Sequence, residues 1–326
     1  MVTVTILLLL VACALPFIVS NYRTFQLTLV LVYAIALLGL NILTGYNGQI
    51  SLGHGSFYAI GAYTAAMLMD RAGLPYWATV PVAGAVCLLA GFLFGLPALR
   101  LEGLYLALAT FALAVSMPPI LKSHLLEKWT GGVQGIVIVK PDPPAWLAAS
   151  AKLNADQWLY FFALAIAVVA FIIGRNLISG RVGRALLAIR DHHAAAEAMG
   201  INTALYKSLA FGVSAMYTGI AGALGAIAVQ FVAPDSFTVF LSITFLVGIV
   251  VGGLASLSGA LYGALFIQFV PNIADELSKA APWAVFGVFL IGFVYLMPTG
   301  AAGAVRALIG RLGGGKLSHP KEETVP

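Results

Sequence analysis

The stretch Asn47–Tyr63, NGQISLGHGSFYAIGAY, lies in a run with no charged side chain between Arg23 and Asp70. About 20 mostly apolar residues carry a helix across the hydrocarbon core of a bilayer. The uncharged residues 24–69 are too long for one crossing and predict two, broken near Gly45 to Gly48. A span that only faced lipid would have no use for Asn47, Gln49, Ser51, His54 and Ser56, nor for Gly48, Gly53, Gly55 and Gly61. Positions 47, 49 and 51 share no helical face, which points to an extended or broken stretch. Backbone that leaves helical geometry inside a membrane must face protein or water, and half-helices meeting in midmembrane build substrate sites in transporters. Asn47, Gln49, Ser51, His54 and Ser56 are therefore candidates for lining a translocation pathway or for satisfying the carbonyls of a broken helix. In the plainer reading Gly53, Gly55 and Gly61 are packing notches, and His54 is a hydrogen-bonding partner inside the bundle rather than a proton carrier.

The rest of the chain has the same character. Of its 326 residues 61% are hydrophobic and only 9% are charged, against about 25% charged in a soluble domain. So much apolar surface cannot be hidden in one water-soluble core, and lipid must be the solvent. The excess of Lys and Arg over Asp and Glu, 17 to 12, then reads as cytoplasmic loop chemistry and not as affinity for nucleic acid. Cys13 and Cys87 both fall in apolar runs and draw no disulfide framework or metal-ligand spacing.

Charges mark the other crossings. Residues 1–22, 72–99, 103–121, 157–174, 208–234 and 280–305 predict one each, and residues 236–274 must fold back once, around Gly252 to Gly259, GGLASLSG. No Lys or Arg precedes Arg23, so the first run reads as a span and not as a cleaved leader. The expected fold is an all-α polytopic membrane bundle of about ten transmembrane helices, with broken or re-entrant segments. An even count puts both termini on one side, and the basic cluster Arg175, Arg181, Arg184, Arg190 and Lys207 puts that side in the cytoplasm. Residues 1–305 would form a single transmembrane domain with an outer loop at 122–156 and an inner loop at 178–207, followed by a basic cytoplasmic tail at 306–326.

The inner loop reads GRVGRALLAIRDHHAAAEAMGINTALYK, from Gly180 to Lys207. Val182, Ala185, Leu186 and Ile189 recur at helical spacing while Arg181, Arg184 and Arg190 take other positions. That pattern predicts a short amphipathic helix with a basic side, suited to the inner headgroup layer. Asp191 then reads as the N-cap of a second short helix that Gly200 stops. Ala194, Ala195, Ala196 and Ala198 would let another protein's backbone come close, with Glu197 and Met199 as a charged and an adaptable contact. Composition alone favours an ordinary solvated loop helix.

Residues Gly183 to Gly225 closely resemble the inner loop and following span of the branched-chain amino acid ABC transporter permeases of the LivM family. GYNGQISLGHGSFYAIGAY is similar to the early signature of that family, and LRLEGLYLALATFALA (Leu99–Ala114), TGGVQGI (Thr130–Ile136) and GGLASLSGALYGA (Gly252–Ala264) resemble three further blocks in the family's order. The resemblance implies a permease subunit of a prokaryotic plasma-membrane (inner-membrane) importer for branched-chain or other hydrophobic amino acids, working by alternating access. Its implied partners are a homologous second permease, two cytoplasmic ATPases that bind the ATP, an extracytoplasmic substrate-binding protein and membrane lipid. By the same resemblance the Asp191–Gly200 helix becomes the coupling helix that sits in a groove of the ATPase, with Arg190, Asp191, Ala195, Glu197, Ala198, Met199 and Gly200 as its contact residues.

Other leads are weaker. GRLGGGKL (Gly310–Leu317) nearly matches a phosphate-cradling loop, but Leu317 replaces the closing Ser/Thr and no strand precedes it. His192 and His193 have no further ligands nearby, so no metal site is expected. No nucleophile pairs with a base, and no cofactor or enzymatic activity is expected of this chain. Two rivals stay open: an ABC permease for urea or short amides, which shares most of the pattern, and an ion-coupled carrier. The carrier would need an ionisable residue inside a span, where only His54 qualifies, because Glu102, Asp235, Asp275 and Glu276 fall at predicted span ends.

Overall fold

A computed structural model describes residues 2–98, 101, 103–144, 153–277, 279 and 282–312. In chain order the helices are α1 (Val2–Ile18), α2 (Asn21–Leu40, continued by a π-helical turn Asn41–Tyr46), α3 (His54–Ala72), α4 (Tyr76–Ala98), α5 (Leu104–Leu121) and α6 (His124–Thr130). They continue with α7 (Ala155–Ser179), α8 (Arg181–Asp191), α9 (His193–Ala198), α10 (Thr203–Val229), α11 (Val239–Gly252), α12 (Leu257–Leu277), α13 (Pro282–Leu296) and α14 (Gly300–Leu312). Two short strands, β1 (Ile136–Val137) and β2 (Phe231–Val232), pair antiparallel and tie the segment after α5 to the end of α10.

The centre of the bundle is α2, α3, α4 and α10. In the most apolar stretch of α2 83% of residues are buried and in that of α10 78%, against 28% in α7. Lipid tails are as apolar as leucine, so helices in a membrane are held by close packing and hydrogen bonds, not by hydrophobic burial. Small residues make that packing possible. A Cβ on Gly61 of α3 would overlap the backbone of Gly219 on α10, one on Gly222 would overlap the Tyr58 carbonyl, and one on Gly91 of α4 would overlap Ala215. The hairpin of α11 and α12 closes in the same way, with Gly252 against Gly259 and Gly263 against Gly248.

Both expected breaks are present. The chain leaves helical geometry after Tyr46 and resumes it at His54, and it turns between Gly252 and Leu257. The count of ten crossings needs correction. Among the described residues seven helices are long and apolar enough to cross a membrane, or eight if α13 and α14, bent by 45°, form one span. The two expected crossings outside that count are α1 and α3. Of α1 only Leu9–Ile18 enters the count, and α3 has the length, 19 residues, but begins on His54 and Ser56 and ends on Asp70 and Arg71. Breaks between charges delimit uncharged runs; they do not measure how apolar each run is. Helix α14 extends to Leu312, through the first residues of the segment read as a tail, while residues 313–326, with most of the GRLGGGKL stretch, lie outside the described residues, as do residues 145–152 of the outer segment.

Candidate functional site

Residues 41–56 run as a π turn, an irregular strand of chain and the first turn of α3. The π turn is closed by the Asn47 amide donating to the Ile42 carbonyl at 3.2 Å, and the Gln49 amide donates to Leu43 at 3.1 Å. Gly48 adopts φ +74°, a conformation that side chains disfavour, and turns the chain back. The Thr44 hydroxyl donates to the Gln49 carbonyl at 3.0 Å and holds the turn shut.

The next residues are fastened to three neighbouring helices. The Leu52 amide donates to the Thr110 hydroxyl on α5 at 2.9 Å, and the Gly55 amide donates to the Ser242 hydroxyl on α11 at 2.9 Å. These bonds satisfy backbone groups that the broken helix leaves free. His54 is 1% exposed, with Nδ1 3.0 Å from Ser51 Oγ and Nε2 2.6 Å from Ser214 Oγ on α10. Ser214 donates its only proton to the Gly39 carbonyl at 2.6 Å, so it accepts from Nε2–H, and Nδ1 accepts from Ser51. Ser51 in turn accepts from the Gly53 amide at 3.3 Å. One tautomer of the neutral ring thus satisfies the whole chain of groups, from α2 through α10 to α3.

The five candidate pathway residues therefore separate into two groups. Ser51 and His54 are spent on holding the break together. Asn47, Gln49 and Ser56 are different: both amide atoms of Asn47, the Gln49 Oε1 and the Ser56 hydroxyl are buried with no hydrogen-bond partner. In a membrane interior such groups are costly, which makes these three the side chains with capacity left for water or a polar substrate.

At the inner loop, α8 buries Gly183, Ala185, Leu186 and Ile189, as the amphipathic pattern requires, while Val182 stays exposed. A tight turn joins it to α7, where a Cβ on Gly183 would overlap the Ile178 carbonyl. Helix α9 projects from the bundle, with Ala194, Ala195, Glu197, Ala198, Met199 and Gly200 exposed and only Ala196 turned inward. Met199 is 84% exposed, and Gly200 at φ +83° ends the helix in open space.

Three details differ from the sequence reading. Asp191 is not the N-cap of the second helix: it ends α8 and pairs with Arg190 at 2.9 Å, and His192 stands at the cap position without a side-chain bond. Glu197, exposed on α9, is also engaged within the chain: its Oε1 accepts from the Thr203 hydroxyl at 2.7 Å and ties α9 to the start of α10. Arg190 points into the bundle, donating from one guanidinium nitrogen to the Gly45 carbonyl of the π turn at 2.9 Å.

Sequence reasoning passed over Asn41, Thr110, Ser214, Ser242 and Arg306. Asn41 had a readable signal, a lone amide in the apolar run ALLGLNILTGY. The hydroxyls had none, since single Ser and Thr residues on apolar helices usually bond their own backbone.

The profile of a family described as the permease component of the branched-chain amino acid transport system matches residues 22–298. The chain belongs to that family. Two of its relatives, the high-affinity branched-chain amino acid transport system permease proteins LivM of Salmonella typhimurium and of Escherichia coli, are each 34% identical over 307 residues, covering 88% of this chain and 72% of theirs. No solved structure matches. In this permease family member the polar break of α2 and α3 and the projecting α9 are the two features that plain helix packing does not require.

Proposed function

We propose that this chain is one of the permease subunits of an ATP-driven importer for branched-chain or other hydrophobic amino acids. It works beside a homologous second permease, two cytoplasmic ATPases that bind and hydrolyse the ATP, and an extracytoplasmic substrate-binding protein, in a prokaryotic inner membrane with both termini in the cytoplasm. The observation that carries the coupling part of this reading is α9: a short exposed helix of small residues and one adaptable methionine, set on an amphipathic α8 that is anchored in the bundle. A surface of that shape suits a groove in a partner and does nothing for this chain's own packing. ATP can drive alternation only if the ATPases' ATP state interacts differently with the two conformations of the permease, and a rigid projecting helix supplies the contact. Asn47, Gln49 and Ser56 are the groups we assign to the translocation pathway.

The test is purification in mild detergent from the native membrane, with wild type beside Met199→Arg. Recovery of ATPases with the wild type only supports docking at α9, and leucine uptake lost in a strain without the gene supports the cargo. Stable wild-type protein without ATPases would favour the ion-coupled carrier, and loss of urea uptake alone would reassign the cargo.

A further inference from the structure

The two helix breaks of the bundle are locked to each other, and each is held by an arginine from a different element. Asn41, in the π turn of α2 and 1% exposed, donates to the Ser256 carbonyl at 2.8 Å and accepts from the Ala255 amide at 2.9 Å. Ala255 is held at φ +54°, a strained conformation for a residue with a side chain. A Cβ on Gly45 would stand 2.5 Å from the Ala255 nitrogen, so the two breaks are in backbone contact. On one side Arg306 of α14 donates to the Ser256 hydroxyl at 2.6 Å. On the other, Arg190 of α8 donates to the Gly45 carbonyl at 2.9 Å, and its side chain lies where a Cβ on Gly48 would stand, 2.8 Å from Arg190 Cγ. Asp191 accepts from the Arg190 Nε at 2.9 Å and fixes the guanidinium's direction.

Arg190 is the penultimate residue of α8, two residues before the cap position of α9, so the residue that grips the break of α2 lies next to the projecting helix. A cation at the carbonyl end of a helical turn is favourable, and here that turn belongs to another element.

We infer that Arg190 is a positioning residue of the transport cycle: through its bond to the Gly45 carbonyl, displacement of α9 shifts the π turn of α2 and, through Asn41, the α11–α12 turn. Its role is to transmit movement within this chain and not to contact the ATPase. The inference rests on the importer reading above. It adds to that reading the place where loop movement enters the bundle, and it predicts that the two interlocked breaks move as one body, because Asn41 bonds both partners on the second break. π turns inside α-helices are frequent at functional sites.

The test uses the complete transporter in proteoliposomes, supplied with its binding protein and ATP, with wild type, Arg190→Gln, Arg190→Lys and Gly48→Ala compared. The readouts are ATPase subunits retained, ATP hydrolysed and cargo taken up per ATP. Arg190→Gln should keep its ATPases and hydrolyse ATP while uptake per ATP falls about tenfold, inside the 5–150-fold range common for coupling between sites. Arg190→Lys, which can still donate to the carbonyl, should recover most of the ratio. Gly48→Ala, whose Cβ would stand 2.8 Å from Arg190 Cγ at a φ of +74°, disturbs the same contact together with the local backbone and should lower it at least as far as Arg190→Gln does. Loss of the ATPases from Arg190→Gln would make Arg190 a docking residue and overturn the inference. An unchanged uptake per ATP in both Arg190→Gln and Gly48→Ala would show the bond to be incidental and overturn it too. Wild-type transporter with no ATP-dependent uptake would instead overturn the importer reading, and the inference with it.

Discussion

Gly61→Ala tests whether close backbone contact holds the centre of the bundle. The new Cβ would stand 2.5 Å from the Gly219 α-carbon and 2.6 Å from its carbonyl carbon, against 3.4–4 Å for an ordinary contact. Helices α3 and α10 must therefore part by about 1 Å, and a gap of that size forfeits up to about half of each atom pair's ~0.1–0.2 kcal/mol. Over roughly forty pairs that is about 3 kcal/mol, and the gain in helix propensity from Gly to Ala returns about 1 kcal/mol. The net loss of about 2 kcal/mol corresponds to a fall of about 3 °C in unfolding midpoint for a chain of this size. Cys87 is a built-in reporter: it is fully buried, its thiol donates to the Phe57 carbonyl at 3.4 Å, and it packs against Gly219. With the exposed Cys13 replaced by Ser, thermal labelling by a thiol-reactive dye reads the opening of this contact alone. Gly287→Ala, where nothing lies within 4 Å of the added carbon, is the control and should leave the midpoint unchanged or raise it slightly. A Gly61→Ala protein with a midpoint equal to wild type would refute the packing argument.

Other expectations follow from the polar groups. Asn41→Ala strands the Ala255 amide and the Ser256 carbonyl, at about 1–3 kcal/mol for each buried orphan; the same thiol assay should show a lower midpoint, and no change would mean that water replaces the amide. Asn47→Leu removes two unpartnered atoms and should hold or raise the midpoint while lowering uptake in proteoliposomes, whereas unaffected uptake would take Asn47 off the pathway. His54, held between Ser51 and Ser214, should carry no proton current: uptake at constant ATP should persist when the proton gradient is collapsed, and its loss would return the carrier reading to consideration.

The membrane class, the two helix breaks and the amphipathic α8 were legible because each rests on local pattern: uncharged length, glycine placement and helical periodicity. The crossing count was not legible to the same degree, since α3 owes its place to burial against α10 and α4 and not to its own hydropathy. Site residues divide along the same line. Met199 and Gly200 are exposed on α9 as the composition of the loop suggested. The internal bonds of Arg190 and Glu197 were not legible, because a long charged side chain on a loop helix can reach inward as readily as outward, and only tertiary geometry decides. Nothing in the sequence pairs position 41 with 256, or 54 with 214.

The polar residues of the opening stretch thus solve two different problems. A broken helix in lipid needs internal partners for its freed backbone groups, and Ser51, His54, Thr110, Ser214 and Ser242 supply them across three interfaces. Their bonds make the break rigid at its α3 end. At its α2 end the π turn is held by Arg190 of α8, while Arg306 of α14 holds the second break at Ser256, and the unpartnered Asn47 and Gln49 lie immediately beyond the turn. On the role inferred above for Arg190, displacement of α9 changes the surroundings of Asn47 and Gln49 while the α3 end stays fastened. A site that must bind and then release its cargo requires that asymmetry; a break fixed equally at both ends would bind but could not be switched.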